Sequence, residues 1–384
     1  MIIQSKKVYY EEKLQPKQIE IKKDLIVGVY PYNTKKVDVD YGNLIVMPGL
    51  VDIHNHGYNR HESSSATVKW LKEWTSYLPS EGVTSTLASI SSYPKDLLLK
   101  ALKNIGEYID SPSFGTNILG VYEEGPFICS TKERGAQNLD YQIIPDKKVI
   151  DEFNKACNNH LIYVMIAPEM LKGNYDVIDY CISKGMKVSL GHTGASFDIC
   201  SKAIKHGATS FTHTYNGMKG LHHREPGVVG AAMYFDNCYT ELICDGIHVN
   251  KVAANILAKT KGKDKLILIT DSVNIKGLEP GVYRFDDKNR TTTITKDGVG
   301  YITGTNTLAG SCHKLCHILD YAIHSAKIDF VTCMNAATIN PLRMLGIENR
   351  GLIKENYIAD IAVFDNRFVN KATYISGKLF KKKK

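Results

Sequence analysis

The stretch Leu44-Ile45-Val46-Met47-Pro48-Gly49-Leu50-Val51-Asp52-Ile53-His54-Asn55-His56-Gly57 organises the reading of the whole chain. Residues 44–47 are an apolar run of strand character, Pro48-Gly49 bends the chain, and residues 51–56 alternate apolar with polar. On a strand, side chains two apart share a face, so His54 and His56 are expected to project together at metal-chelating separation. The plain alternative is a pair of strand histidines facing water. The partners found downstream favour metal.

Working outward, strands and helices alternate. Periodicity predicts helices over 68–79, 95–109, 147–158, 175–184, 197–206, 251–259 and 313–326. Strands are expected over 83–89, 118–123, 162–167, 187–190, 210–213, 239–244 and 265–270. Repeated βα units imply a parallel sheet under helical cover. About eight of them fit an α/β fold of the (β/α)8 barrel type over residues 48–351. A doubly wound sheet is the fold alternative, but no GxGxxG follows the first strand and no GK[ST] loop occurs. Segments 1–8, 19–29, 37–47, 351–354, 358–364, 373–376 and 379–380 read as strands. Residues 1–47 and 352–384 are therefore expected to pair into one small β-sandwich domain built from both chain ends.

The chemistry-bearing residues fall at the carboxyl ends of the predicted strands: His54, His56, Glu124, His192, His213, His248 and Asp271. A barrel gathers these ends at one face. Neutral imidazole with carboxylate suits Zn2+ or Fe2+ in a site with open positions. Taken singly, each has a duller reading: a surface histidine, or an aspartate capping the next helix. Strand alternation leaves open whether Glu123 or Glu124 faces the site. Asp271 beside a metal-bound water is the expected proton shuttle. Arg224, after His222-His223, suits a phosphate or carboxylate, or is a solvated loop arginine. The i, i+4 pairs among Cys312, His313, Cys316 and His317 read better as part of an amphipathic helix than as a metal site. Residues 300–310 are Gly/Thr-rich without a following lysine and are read as a loop over the active face.

Composition is that of an ordinary globular protein, 43% hydrophobic and 23% charged over 384 residues. The net charge is +8, and Lys378 with Lys381–Lys384 carries five of those charges. The remaining charge of about +3 is no nucleic-acid signature, and the lysine run reads as a solvated tail. Nine scattered cysteines without a CxxC pair read as reduced thiols of a cytoplasmic protein. No apolar run reaches membrane-spanning length, and the first residues lack the apolar core of a signal peptide.

The ordered motifs are Pro48-Gly49-Leu50-Val51-Asp52-Ile53-His54-Asn55-His56-Gly57, Glu124-Gly125-Pro126-Phe127, Gly191-His192-Thr193, and Thr212-His213-Thr214-Tyr215-Asn216-Gly217-Met218. Arg224-Glu225-Pro226-Gly227, Asp245-Gly246-Ile247-His248, Thr270-Asp271-Ser272, Leu308-Ala309-Gly310-Ser311 and Ala359-Asp360-Ile361-Ala362-Val363-Phe364-Asp365 follow. Together they resemble the amidohydrolase superfamily, and within it the N-acetylglucosamine-6-phosphate deacetylases, over nearly the whole chain. The resemblance implies hydrolysis of the acetamide of N-acetyl-D-glucosamine 6-phosphate in amino-sugar catabolism. It puts one or two divalent metal ions, Zn or Fe, on each subunit. Glu124, His192 and His213 fall on its metal ligands, and His54 and His56 on the pair that binds a second ion. Asp271 matches the general acid/base, and His248 the residue that orients substrate and polarises the amide carbonyl. Asn216, Gly217, Leu308, Ala309, Gly310 and Ala136 match substrate contacts. Arg224 falls at the phosphate, in its own subunit or across to a neighbour, and a homodimer is expected. Gln137 departs from a histidine common at that position. The remaining alternatives are an amidohydrolase acting on another amide, and a metal-free scaffold that keeps the barrel.

Overall fold

The computed structural model describes residues 1–112, 115–284, 291–295 and 298–381. Eight parallel strands form a barrel, each paired with the next in sequence: Leu50–Asp52, Val83–Ile90, Asn117–Glu123, Leu161–Ile166, Lys187–Leu190, Ser210–Phe211, Tyr239–Leu242 and Leu266–Leu268. The seam between first and last is held just beyond the strands. The Asp271 N–H donates to the His54 carbonyl at 2.9 Å, and Asn55 and Ser272 form a parallel bridge. Asp52 reinforces it by accepting from the Thr270 N–H at 3.2 Å and the Thr270 hydroxyl at 2.6 Å.

All eight residues of Val83–Ile90 are buried, as expected for a parallel strand covered on both faces. Helices supply the outer cover. Lys95–Ile109 turns Leu98, Leu102 and Ile105 inward, at the spacing of one helical face. The barrel interior is packed, with Val51, Tyr122, Tyr163, Ile243 and Ile267 among its buried residues. Tyr122 and Tyr163 stack at 4.2 Å, and the His54 ring meets Tyr122 edge-on at 4.9 Å. This aromatic pair is the floor of the site.

Strands from both chain ends share a second sheet. Ile361–Phe364 runs antiparallel to Ile45–Pro48, and beyond it lie Ile2–Tyr10, Lys13–Lys22 and Leu25–Pro31 in that order. Its core includes Ile3, Val46, Ile361, Val363 and Tyr374. A third sheet, a four-stranded antiparallel meander, follows the last barrel strand: Gly281–Arg284, Thr291–Ile294, Val299–Ile302 and Leu308–Ser311.

Several expectations are corrected. The stretch 19–29 is two strands, because Lys23 takes φ 56° and turns the chain. Residues 351–354 are not a strand, Gly351 standing at φ 79°. Residues 300–310 are no simple loop but the last two strands of the meander and their turn. Helices Gly227–Tyr234, Phe330–Ala336 and Ile339–Leu345 were not anticipated. Of the expected lysine tail, residues 382–384 lie outside the described residues.

Candidate active site

The first barrel strand stops at Asp52, so His54 and His56 lie just past it rather than on it. They still converge, with Nε2 atoms 3.0 Å apart. Glu124 follows the third strand, His192 the fifth, His213 the sixth, His248 the seventh and Asp271 the eighth. His192, His213 and Asp271 take φ of 44°, 29° and 47°. Residues with a Cβ rarely adopt that backbone, and strain of this kind collects at functional sites.

Glu124 is the hub. Its Oε1 lies 2.9 Å from His192 Nε2 and 3.0 Å from His213 Nε2, and its Oε2 lies 3.3 Å from His56 Nε2. Asp271 Oδ1 is 3.4 Å from His54 Nε2 and 3.3 Å from His56 Nε2. Two ligand sets result, His54/His56/Glu124/Asp271 and Glu124/His192/His213, each with its ligand atoms within 4.8 Å of one another. Glu123 faces elsewhere. It is fully buried with both carboxylate oxygens unpartnered, and burial pushes its pKa well above the usual range. The Cys312/His313/Cys316/His317 segment forms no such set among the described residues.

On three of the four histidines the far ring nitrogen is engaged, so that Nε2 faces inward. His54 Nδ1 meets Glu241 Oε2 at 2.9 Å, His56 Nδ1 the Ser89 carbonyl at 3.0 Å, and His192 Nδ1 the Glu133 carbonyl at 3.3 Å. His213 Nδ1 has no partner. Gly217 lets His192 sit close: a Cβ there would fall 2.9 Å from His192 Nδ1 and 2.8 Å from the Glu133 carbonyl.

The donor chemistry fits a divalent cation. Glu124, Asp271 and Glu241 bring three carboxylates against buried imidazoles. Burial alone would push the histidines down, yet Asp271 and Glu241 hold His54 well up, and Glu124 and Asp271 hold His56 up to about 9. Burial likewise favours neutral carboxyls, yet the histidines hold Glu124 far down and Asp271 below the usual carboxylate range. Paired Nε2 atoms at 3.0 and 3.1 Å, faced by carboxylates, must share protons or a cation.

A pocket of about 380 Å³ opens over these ligands. It is lined by His56, Glu124, His192, His213, His248 and Asp271, and by Ala136, Asn216, Gly217, Leu308, Ala309 and Gly310. The meander supplies the last three. A Cβ on Gly310 would fall 2.5 Å from Val273 Cγ1 and 3.1 Å from the Asp271 carbonyl, which explains a glycine at φ 87°. His248 Nδ1 is bound to Asp245 Oδ2 at 2.6 Å, while its Nε2 is buried and unpartnered. Arg224 is not in the pocket. It is exposed, its Nη1 donating to His223 Nε2 at 2.9 Å, and no Lys or Arg is among the described residues of the lining.

Sequence reading missed three supports. Gln137 donates to Glu124 Oε2 at 2.6 Å and accepts from the Ser92 N–H at 2.7 Å. Asp245 holds His248, and Glu241 holds His54. The i, i+3 spacing of Asp245 and His248 was a usable signal, as was a lone glutamate inside an otherwise buried strand. Gln137 gave none.

A sequence model of the amidohydrolase family matches residues 45–380. An N-acetylglucosamine-6-phosphate deacetylase of Bacillus subtilis (strain 168) is 34% identical over 323 residues, covering 83% of this chain and 80% of that protein. An N-acetylgalactosamine-6-phosphate deacetylase of Escherichia coli O157:H7 is 26% identical, covering 98% of each. The structure is similar to a mutant N-acetyl-D-glucosamine-6-phosphate deacetylase of Mycobacterium smegmatis solved with N-acetyl-D-glucosamine-6-phosphate. That likeness has a TM-score of 0.92 and 27% identity, and covers 99% of both chains.

Proposed function

The chain belongs to the amidohydrolase family, and within it to the N-acetylglucosamine-6-phosphate deacetylases; from that premise we propose that it hydrolyses the acetamide of N-acetyl-D-glucosamine 6-phosphate, giving D-glucosamine 6-phosphate and acetate. The observation that carries this reading is the convergence of His54, His56, Glu124 and Asp271 under an open pocket.

Over the described residues, 48–351 are the catalytic barrel, and 1–47 with 352–384 the supporting β domain. His192, His213 and Glu124 hold one divalent ion, Zn2+ or Fe2+, and His54 and His56 with Glu124 and Asp271 prepare a place for a second. When bound, such an ion supplies Lewis acidity to the attacking water and the acetamide carbonyl. Asp271, held ionised by its histidine neighbours, accepts the proton of the attacking water and returns it to the leaving nitrogen. His248 gives its Nδ1–H to Asp245, so a proton on Nε2 makes it an imidazolium whose counter-charge is Asp245. That Nε2–H donates to the carbonyl oxygen as negative charge builds there. Asn216, Gly217, Ala136 and Leu308–Gly310 hold the sugar.

The phosphate needs a cation that the pocket lining does not supply. Arg224 is exposed, and so are Leu221 before it and Tyr234 after it in the chain, at 58% and 70%. The chain acts as a homodimer in which Arg224 reaches the phosphate of the partner's site. Nine unpaired thiols support a cytoplasmic location.

The test is acetate release from N-acetylglucosamine 6-phosphate, N-acetylgalactosamine 6-phosphate and unphosphorylated N-acetylglucosamine. The first should have the highest kcat/KM. Preference for the galactose epimer would move the substrate assignment, and no acetate from any of the three would overturn the reading.

A further inference from the structure

Glu241 lies on the seventh barrel strand and is fully buried. Its Oε2 accepts from two directions, from His54 Nδ1 at 2.9 Å and from the His213 backbone N–H at 3.1 Å. Its Oε1 accepts from the Tyr163 hydroxyl at 2.9 Å. Its carbonyl accepts from the Thr214 N–H at 2.8 Å. The only ion-pair partner it has among the described residues is His54.

The four histidines are not supported alike. His56 Nδ1 rests on the Ser89 carbonyl and the Ser91 hydroxyl, His192 Nδ1 on the Glu133 carbonyl, and His213 Nδ1 on nothing. Only His54 has a carboxylate behind its ring. That carboxylate engages Nδ1, so Nε2, turned toward Glu124 and Asp271, is the atom left for an ion, and the carboxylate would strengthen its electron donation once an ion displaces the Nε2 proton. Toward the other set, Glu241 reaches only the backbone of His213.

We propose that Glu241 is the positioning residue that makes His54 a metal ligand. It thereby decides, separately from the Glu124/His192/His213 set, whether the His54/His56/Glu124/Asp271 set holds an ion. This rests on the metal reading proposed above.

The test titrates metal-free protein with Zn2+ against a chromophoric chelator, reading the number and affinity of sites. Wild type should bind two ions. Glu241→Gln keeps the shape and can still accept from His54, but it lacks the charge. It should bind one ion as wild type does and the other about 10–100-fold more weakly. His54→Ala should lose that same ion altogether. A generally damaged barrel would weaken both sites and lower the melting temperature of the metal-free protein, so equal weakening of both overturns the proposal. Unchanged affinities in Glu241→Gln overturn it while leaving the metal reading intact. A wild type that binds no ion overturns both, and a wild type whose single ion survives His54→Ala overturns the proposal alone. Should Glu241→Gln not fold, Glu241→Asp, with the charge kept and the reach shortened, carries the same expectation and the same reversals.

Discussion

The Gln137 side-chain amide donates to Glu124 Oε2 at 2.6 Å, on the side of the carboxylate away from His192 and His213. The same side chain accepts from the Ser92 N–H, so Gln137 is fixed at both ends. Gln137→Ala should remove a hydrogen bond to a buried charge, worth ~1.5–3 kcal/mol. Metal affinity should fall about 10–100-fold, as for other residues that orient a ligand. Gln137→Glu should do worse, since it sets a second carboxylate against Glu124. Chelator competition on both variants checks this, and wild-type affinity in Gln137→Ala would mean that Glu124 is oriented by the histidines alone.

Metal content separates the two ligand sets. His192→Ala strips Glu124 of its neighbour at 2.9 Å and should lose most bound metal. His54→Ala should leave about one ion per chain. Elemental analysis of the purified variants reads this directly, and full metal content in His192→Ala would remove that residue from the site.

The barrel was legible because parallel strands buried on both faces leave short apolar runs, and helices between them leave a different period. Histidines at strand ends stood out for the same reason. What stayed hidden depends on distance across the fold. Nothing local in Tyr239-Thr240-Glu241-Leu242 says that Glu241 meets His54, 187 residues away. The Gly/Thr composition of 300–310 suits a loop and a short meander equally. The strand break at Lys23 leaves no mark, since a lysine at φ 56° looks like any other lysine in sequence.

Asp245 illustrates a pH dependence. Burial pushes its carboxyl up, but the His248 hydrogen bond and charge, with the Ile247 and His248 backbone N–H groups, hold it below the usual range. A carboxyl lowered on folding stabilises the protein fully above its unfolded pKa, and that stability is lost as pH falls through the lower folded value. The stability gap between wild type and Asp245→Asn should therefore be full at neutral pH and close only below about pH 4. At neutral pH the variant should also lose on the order of 10²-fold in kcat, because His248 loses its counter-charge at the carbonyl. Denaturant melts across pH and steady-state kinetics test the two halves. A gap independent of pH would mean that the carboxylate is not what Asp245 contributes.

Lys276 and Glu81 form a buried pair, with Nζ 2.8 and 2.9 Å from the two carboxylate oxygens and both side chains almost fully enclosed. Glu81 Oε2 also accepts from the Leu315 N–H at 3.3 Å, so the pair ties the barrel to chain on both sides of the meander. Lys276→Met leaves Glu81 charged and alone, and should cost ~3–5 kcal/mol in denaturant unfolding. Removing both charges together, as Glu81→Leu/Lys276→Met, should recover most of that loss. A double variant as unstable as the single one would show that packing, not the unpaired charge, sets the cost.

No Lys or Arg is among the described residues lining the pocket, and Arg224 is exposed in the loop before helix Gly227–Tyr234. An arginine that serves the partner's site makes two differently impaired chains complementary. Arg224→Ala should raise KM for the phosphorylated sugar by the equivalent of ~1.5–3 kcal/mol, with little effect on the unphosphorylated one. Asp271→Asn should fold and keep its metal, and lose kcat by ~10²–10⁴-fold. In a mixed dimer, the site with a native Asp271 faces the partner chain that retains Arg224, so one of its two sites is whole. Random reassortment of equal amounts should then restore about a quarter of the wild-type activity at limiting substrate. If Arg224 served its own chain, every mixed site would carry one defect, and mixing would restore nothing beyond the average of the two variants. Recovery well above that average, appearing only after the dimers are dissociated and reassembled, is the outcome expected here.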